Sequence, residues 1–190
     1  MSMNRRTALK LFTGGAIAPV AGFGEAPAFF RFFNSPVRLD RYTRTTYDLV
    51  SADYVTSPAP AGAGGSLEMK FKFSEKYRYG MLILDVAPVK ISRIRFQLFN
   101  PNASREEISF RLLLRDANRK ICQSKTPRTV LPVRRWTTIE TDIRNDFEIP
   151  KERISAGFIL TQMQFRFETG KEFSSFGKPL PVYLSGVECF

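Results

Sequence analysis

From residue 66 to the end of the chain, apolar and polar residues alternate. Leu67, Met69, Phe71 and Phe73 are interleaved with Glu68, Lys70 and Lys72. Ile94, Phe96 and Leu98 alternate with Arg93, Arg95 and Gln97. Ile108, Phe110, Leu112 and Leu114 alternate with Ser109, Arg111 and Arg115, with Leu113 out of step. Ile139, Thr141 and Ile143 alternate with Thr138, Glu140 and Asp142; Met163, Phe165 and Phe167 alternate with Gln162, Gln164, Arg166 and Glu168. Met81–Val86 and Val182–Val187 are short apolar runs. A period of two places successive side chains on opposite faces, the pattern of a half-buried antiparallel strand. Turn residues separate the segments, as at Asn100-Pro101-Asn102 and Asp116-Ala117-Asn118. Seven or eight such strands predict an all-β domain, an antiparallel β-sandwich or jelly roll. Helical periodicity is weak after residue 28, apart from one turn predicted at Pro150-Lys151-Glu152-Arg153.

The N-terminus has a different texture. Asn4-Arg5-Arg6-Thr7-Ala8-Leu9-Lys10 resembles the twin-arginine export signature, with Arg5 and Arg6 as its paired arginines. A Gly/Ala-rich stretch from Leu11 to Gly24 follows, then a small-x-small site at Ala26-Pro27-Ala28. Residues 1–28 therefore read as a leader recognised by the twin-arginine translocation machinery. They imply a bacterial protein, periplasmic or secreted, that is exported folded. The apolar stretch is about 14 residues long and broken by Gly14, Gly15, Pro19 and Gly22, too short for a stable membrane span. Residues 29–44 open with Phe-Phe-Arg-Phe-Phe-Asn-Ser-Pro, a phenylalanine density that predicts docking onto the domain rather than exposure. The domain itself is placed at residues 45–190. Residues 57–65 form a small-residue loop.

Composition narrows the chemistry. The chain carries a formal charge of +11; Arg5, Arg6 and Lys10 against Glu25 give the leader +2 and leave +9 on residues 29–190. That balance favours an acidic partner such as an anionic polysaccharide. Nucleic acid is not expected for an exported protein without a nucleic-acid motif. The absence of histidine removes His-based triads, His general bases and imidazole metal sites. Cys122 and Cys189 admit either one disulfide or two buried thiols.

Tyr54-Val55-Thr56, the Gly-rich loop and Ser66-Leu67-Glu68-Met69 resemble the opening strand of galactose-binding-like jelly rolls. Ile94–Pro101 followed by Phe110–Asp116 looks like their central hairpin. Arg135-Trp136-Thr137-Thr138-Ile139-Glu140 is similar to their Trp-led strand, and Val182–Val187 to their last strand. Over residues 45–190 the chain is similar to the carbohydrate-binding modules attached to agarases and related polysaccharide hydrolases. The resemblance implies a non-catalytic sugar-binding domain whose ligand lies on one sheet face or in the loops at its rim. Many such modules ligate a structural calcium with an aspartate in the last strand. Ser185 stands in that stretch here, so no metal and no cofactor are expected.

On this reading the polar faces of the strands supply one ligand site: Arg93, Arg95, Gln97, Arg111, Gln162, Gln164 and Arg166, with Arg115 nearby. Arginine forks pair with carboxylate or sulfate, and glutamine amides both donate to and accept from sugar hydroxyls. Trp136 is read either as a stacking surface for a sugar ring or as half-buried packing. A cross-strand ion pair of Arg166 with Glu140 is the structural alternative for the same face. A glycosidase would need two carboxylates across a cleft, for which Glu140 and Glu168 are the candidates. No motif singles them out, and Tyr77, Tyr79 and Tyr183 lack a supporting pattern for a lyase. The function expected is an exported carbohydrate-binding module-like protein preferring anionic polysaccharides. The alternatives are a cell-envelope interaction protein docking through residues 29–36 and, third, a small polysaccharide hydrolase or lyase.

Overall fold

Alternating sequences of this kind have one apolar face per strand, and two sheets bury those faces against each other. The computed structural model describes residues 12–13, 29–31, 43–46, 49–103, 106–126, 128–155 and 157–190. Arg5 and Arg6 lie outside the described residues.

In chain order the strands are β1 (Phe12–Thr13), β2 (Phe29–Arg31), β3 (Thr43–Thr46), β4 (Leu49–Val55), β5 (Ser66–Phe71), β6 (Tyr79–Ile91) and β7 (Arg93–Phe99). There follow β8 (Ile108–Asp116), β9 (Ile121–Gln123), β10 (Thr129–Val130), β11 (Trp136–Asp142), β12 (Phe158–Thr169) and β13 (Leu180–Cys189). Two short helices, α1 (Ile143–Asp146) and α2 (Lys151–Ser155), sit between β11 and β12. The first sheet has the order β1-β11-β7-β13-β5-β4, with β2 also paired to β13. The second has the order β10-β8-β12-β6-β3, with β9 also paired to β8. Every pairing between these strands is antiparallel. The fold is a β-sandwich of the jelly-roll type.

Between the sheets lies a phenylalanine core. Phe96 of the first sheet meets Phe165 and Phe110 of the second edge-to-face, at centroid separations of 5.1 and 5.5 Å. Phe71 contacts Phe167 across the same interface at 5.0 Å. Leu67, Met69, Leu98, Leu112, Leu114 and Met163 fill the space around them, all buried. Each side chain of this size removed from water contributes roughly 1.5–3 kcal/mol.

Several expectations change on contact with this architecture. The segments at 94–101 and 110–116 form no hairpin: β7 belongs to the first sheet and β8 to the second. The turn at Asn100–Asn102 begins the crossing between them, because β8 takes its ladder bonds from β12, β9 and β10 instead. Ile143 leaves the strand and opens a helical turn. Asp142 ends β11 and caps that turn, its Oδ1 accepting from the Asn145 N–H at 2.9 Å. The turn expected near Lys151 is present as α2. Within the phenylalanine-rich segment, Phe29–Arg31 pairs along Val187–Cys189.

The central strand of each sheet carries a one-residue irregularity. In β12 the register against β8 shifts between Leu160 and Gln162, leaving Thr161 as the extra residue. Its hydroxyl donates to the carbonyls of Arg115 and Asp116 at 3.1 and 3.0 Å. In β13 the register against β7 shifts between Ser185 and Glu188, and Gly186 adopts φ +59°, a left-handed conformation natural to glycine.

Candidate functional site

The eight residues proposed for one ligand site fall on opposite sides of the sandwich. Arg93, Arg95, Gln97 and Trp136 lie on the outer face of the first sheet, and Arg111, Gln162, Gln164 and Arg166 on the outer face of the second. The cause is topological. Strands β7 and β11 pair with each other, whereas β8 pairs with β12, so two groups with the same local pattern face away from each other. The Arg166–Glu140 ion pair is absent for the same reason. Glu140 receives Arg93 at 3.2 Å, and Glu168 receives Arg166 at 2.7 Å. Glu140 and Glu168 therefore share no cleft, and the glycosidase pairing does not form.

On the first sheet the cations are matched to acids and aromatics. Arg95 pairs with Glu188 on the neighbouring strand, and its side chain and that of Arg93 both lie over the Phe190 ring. The Glu188 carboxylate raises the Arg95 pKa. Trp136, Phe99 and Tyr183 line up in register across three strands, with centroid separations of 5.3 and 5.9 Å. Tyr183 is buried and donates its hydroxyl to Glu68 at 2.8 Å; burial and that carboxylate push its pKa up to about 12. Glu68 itself is held below its ordinary value of 4.5: burial opposes this, but hydrogen bonds from Lys70 and Tyr183 and the Lys70 charge prevail. Trp136 is thus half-buried packing against Phe99. Gln97 Oε1 is buried on this face without a hydrogen-bond partner. Ser185 is fully buried and donates to the Gly65 carbonyl at 3.3 Å. Among the described residues no group of acidic, Cys or His side chains is arranged to hold a metal ion.

The second sheet is organised differently. Its three central strands bring Arg111, Arg166 and Met81 into one row, then Leu113, Gln164 and Ile83, then Arg115, Gln162 and Asp85. Successive rows are roughly 6.7 Å apart along the strands. Arg111 and Arg166 stand directly opposite each other, a like-charge cross-strand pair that is unfavourable on its own. Arg166 is steadied by stacking on Tyr79, with its guanidinium 4.1 Å from the ring centroid. The Glu168 carboxylate reaches its Nε only off the N–H axis, as an ion pair rather than a hydrogen bond. Arg111 and Arg115 have no ion pair among the described residues. The Nε atoms of Arg111, Arg115 and Arg166 are all buried without a hydrogen-bond partner. Between them runs a chain of amides: Gln162 Nε2 donates to Asp85 Oδ1 at 2.6 Å, and Gln164 Nε2 donates to Gln162 Oε1 at 2.7 Å. Alternation alone puts Arg115 beside this face, whereas Asp85, inside the apolar run Met81–Val86, enters the site only through this register.

At one end of the sandwich a cavity of about 180 Å³ is bounded by Asp116, Asn118, Arg153, Gly157 and Phe158. Its acid is already engaged: Asp116 pairs with Arg153 and accepts the Lys120 N–H at 2.8 Å. Burial opposes ionisation of Asp116, yet these contacts hold its pKa below 3.8. Cys122 and Cys189 are free, buried thiols on different sheets, so no disulfide joins them. Burial, with Glu188 adding to it, pushes the Cys189 pKa up to about 12.

No protein-family model and no curated protein matches the sequence. Solved structures do. A carbohydrate-binding module of family 28 specific for non-crystalline cellulose superposes with a TM-score of 0.57 at 14% identity, covering 87% of this chain and 94% of that one. A family 27 module that recognises mannan gives 0.56 at 9% identity, covering 86% and 96%. A family 22 xylan-binding domain from Paenibacillus barcinonensis gives 0.52 at 10% identity, covering 87% and 97%. At such identities the likeness is one of fold: the chain has the β-sandwich jelly roll of carbohydrate-binding modules over nearly the whole length of each.

Proposed function

We propose that this is an exported, non-catalytic carbohydrate-binding protein that holds an acidic polysaccharide on the outer face of β6, β8 and β12. One observation carries the reading: the Nε atoms of Arg111 and Arg115 on that face are buried with no hydrogen-bond acceptor, and neither arginine has an ion pair among the described residues. A buried guanidinium N–H without an acceptor is costly, and the cost is relieved when a carboxylate or sulfate fills the gap. The fold neighbours bind cellulose, mannan and xylan, which supports a polymeric sugar as the ligand class. The arginines add a preference for acidic sugars. Residues 1–28 serve as a twin-arginine leader, cleaved on passage to the periplasm or beyond. Among the described residues no helix is long and apolar enough to cross a membrane. The envelope-interaction reading relied on residues 29–36, and Phe29–Arg31 is engaged with β13 of the same domain.

The test is binding of the purified protein to neutral, carboxylated and sulfated polysaccharides at low and high salt. Retention by the acidic polymers is expected, and Arg111→Ala with Arg115→Ala should weaken it by about tenfold or more, since hydrogen bonds to charged groups contribute roughly 1.5–3 kcal/mol each. Undiminished binding by that double variant would sink the proposal.

A further inference from the structure

The amide chain on the second sheet has a direction. A carboxylate only accepts hydrogen bonds, so Asp85 obliges Gln162 to turn its Nε2 toward it and its Oε1 away. Gln162 Oε1 in turn obliges Gln164 to present its Nε2. What remains at the end of the chain is Gln164 Oε1, an acceptor with no hydrogen bond among the described residues. Leu113 and Ile83 flank Gln164 in register on the two neighbouring strands, and neither side chain has a polar atom to offer it. The row on one side of Gln164 contains Arg111 and Arg166, and the row on the other contains Arg115. The face therefore reads donor, acceptor, donor along the strand direction, with the acceptor locked by an acid two residues away in the relay. An amide chain without an acidic end can reverse, because its two ends are then chemically equivalent.

We infer that Asp85 is a positioning residue that gives this face a fixed hydrogen-bond polarity, and that the face takes an acidic polysaccharide carrying an unblocked hydroxyl or amide N–H between its acidic groups. The inference rests on the sugar-binding reading of the same face and specifies its ligand. A polyanion with charge but no donor satisfies the arginines and leaves Gln164 Oε1 dry and unpaired, which a site built around that acceptor penalises.

The experiment compares polygalacturonate with polyacrylate, a carboxylated polymer that has no donor when ionised, by calorimetry at one low salt concentration. The wild-type protein is expected to prefer polygalacturonate by about tenfold, the scale of one well-placed hydrogen bond and the cost of leaving its acceptor unmet. Asp85→Asn should bring the ratio to about twofold or less by weakening polygalacturonate alone, since an asparagine lets the amides reverse. Gln164→Met, which removes the acceptor and keeps the volume, should give the same loss. Thermal unfolding of both variants within a few degrees of wild type would show that the fold is retained. A wild-type preference left intact by both substitutions would overturn the assignment. Equal wild-type binding of the two polymers, abolished by Arg111→Ala with Arg115→Ala, would overturn the polarity and leave the arginine site standing. Absence of binding to either polymer would overturn the sugar-binding reading and the polarity with it.

Discussion

The two outer faces of this sandwich have nearly the same polar alphabet and use it in opposite ways. On the first sheet each arginine of β7 finds an acid on the next strand: Arg95 with Glu188, Arg93 with Glu140. On the second, Arg111 stands opposite another arginine, and Arg115 stands opposite a glutamine whose amide is already committed to Asp85. The arginines of β7 on the first face are matched by acids, though Gln97 Oε1 is left without a partner, and the aromatic row of Trp136, Phe99 and Tyr183 packs on itself. The second holds unmatched cations around an oriented acceptor. What separates a solvated, charge-matched face from a candidate binding face is therefore the identity of the cross-strand neighbour rather than the composition of any one strand.

Three perturbations bear on that contrast, from the strongest to the weakest. Both faces depend on one core, so Phe165→Ala should damage them together. Phe165 is fully buried against Phe96, and its truncation should cost about 3–5 kcal/mol in denaturant unfolding. Survival of one face's function after that loss would show that the sheets are more independent than their shared core implies. The loop that joins β12 to β13 is tied to the entrance of β8 by Glu106, which accepts from the Ser174 and Ser175 hydroxyls at 2.7 and 2.9 Å. Burial opposes ionisation of Glu106, but these hydroxyls and the two backbone N–H groups hold its pKa below 4.5. A depressed folded value means that the stabilisation is present above the unfolded value and fades as pH falls through the folded one. Glu106→Gln should cost about 1–3 kcal/mol near neutrality, and the gap from wild type should narrow progressively below about pH 4.5. A gap independent of pH would mean that charge plays no part in this tie. The mildest change is Arg93→Ala with Arg95→Ala. These pairs are more than a third exposed on the arginine side, so stability should fall by no more than about 1 kcal/mol. Affinity for acidic polymers should change by less than about twofold, which marks the limit between general charge attraction and a defined site. A large loss of binding here would reverse the assignment of the two faces.

Much of the fold was legible in the sequence. Leu67, Met69, Phe71, Ile94, Phe96, Leu98, Phe165 and Phe167 were assigned to inward faces by alternation alone, and all are buried. Alternation depends only on the pleat, which is a local property. The partnership of strands is not local. Nothing in Ile94–Asn100 or Phe110–Asp116 says that the first pairs with β11 and β13 and the second with β12, and the hairpin reading failed there. The single site drawn from Arg93 to Arg166 divided for the same reason, as did the Glu140 and Glu168 pair. Asp85 was hidden inside the apolar run Met81–Val86, where one polar residue looks like an exception rather than the start of a hydrogen-bond chain. Only the register of β6 against β12 reveals its role.

The extra residues at Thr161 and Gly186 have a consequence for comparing this chain with distant homologues. Each strand alternates regularly before and after its extra residue, with Leu160 and Met163 inward in β12 and Leu184 and Val187 inward in β13. A homologue that lacks either extra residue keeps every flanking side chain on its proper side. A one-residue gap placed well away from either position puts every side chain between the gap and the extra residue on the wrong face. Alignments of such divergent sequences should therefore admit single gaps opposite Thr161 and Gly186 and resist them farther along the same strands.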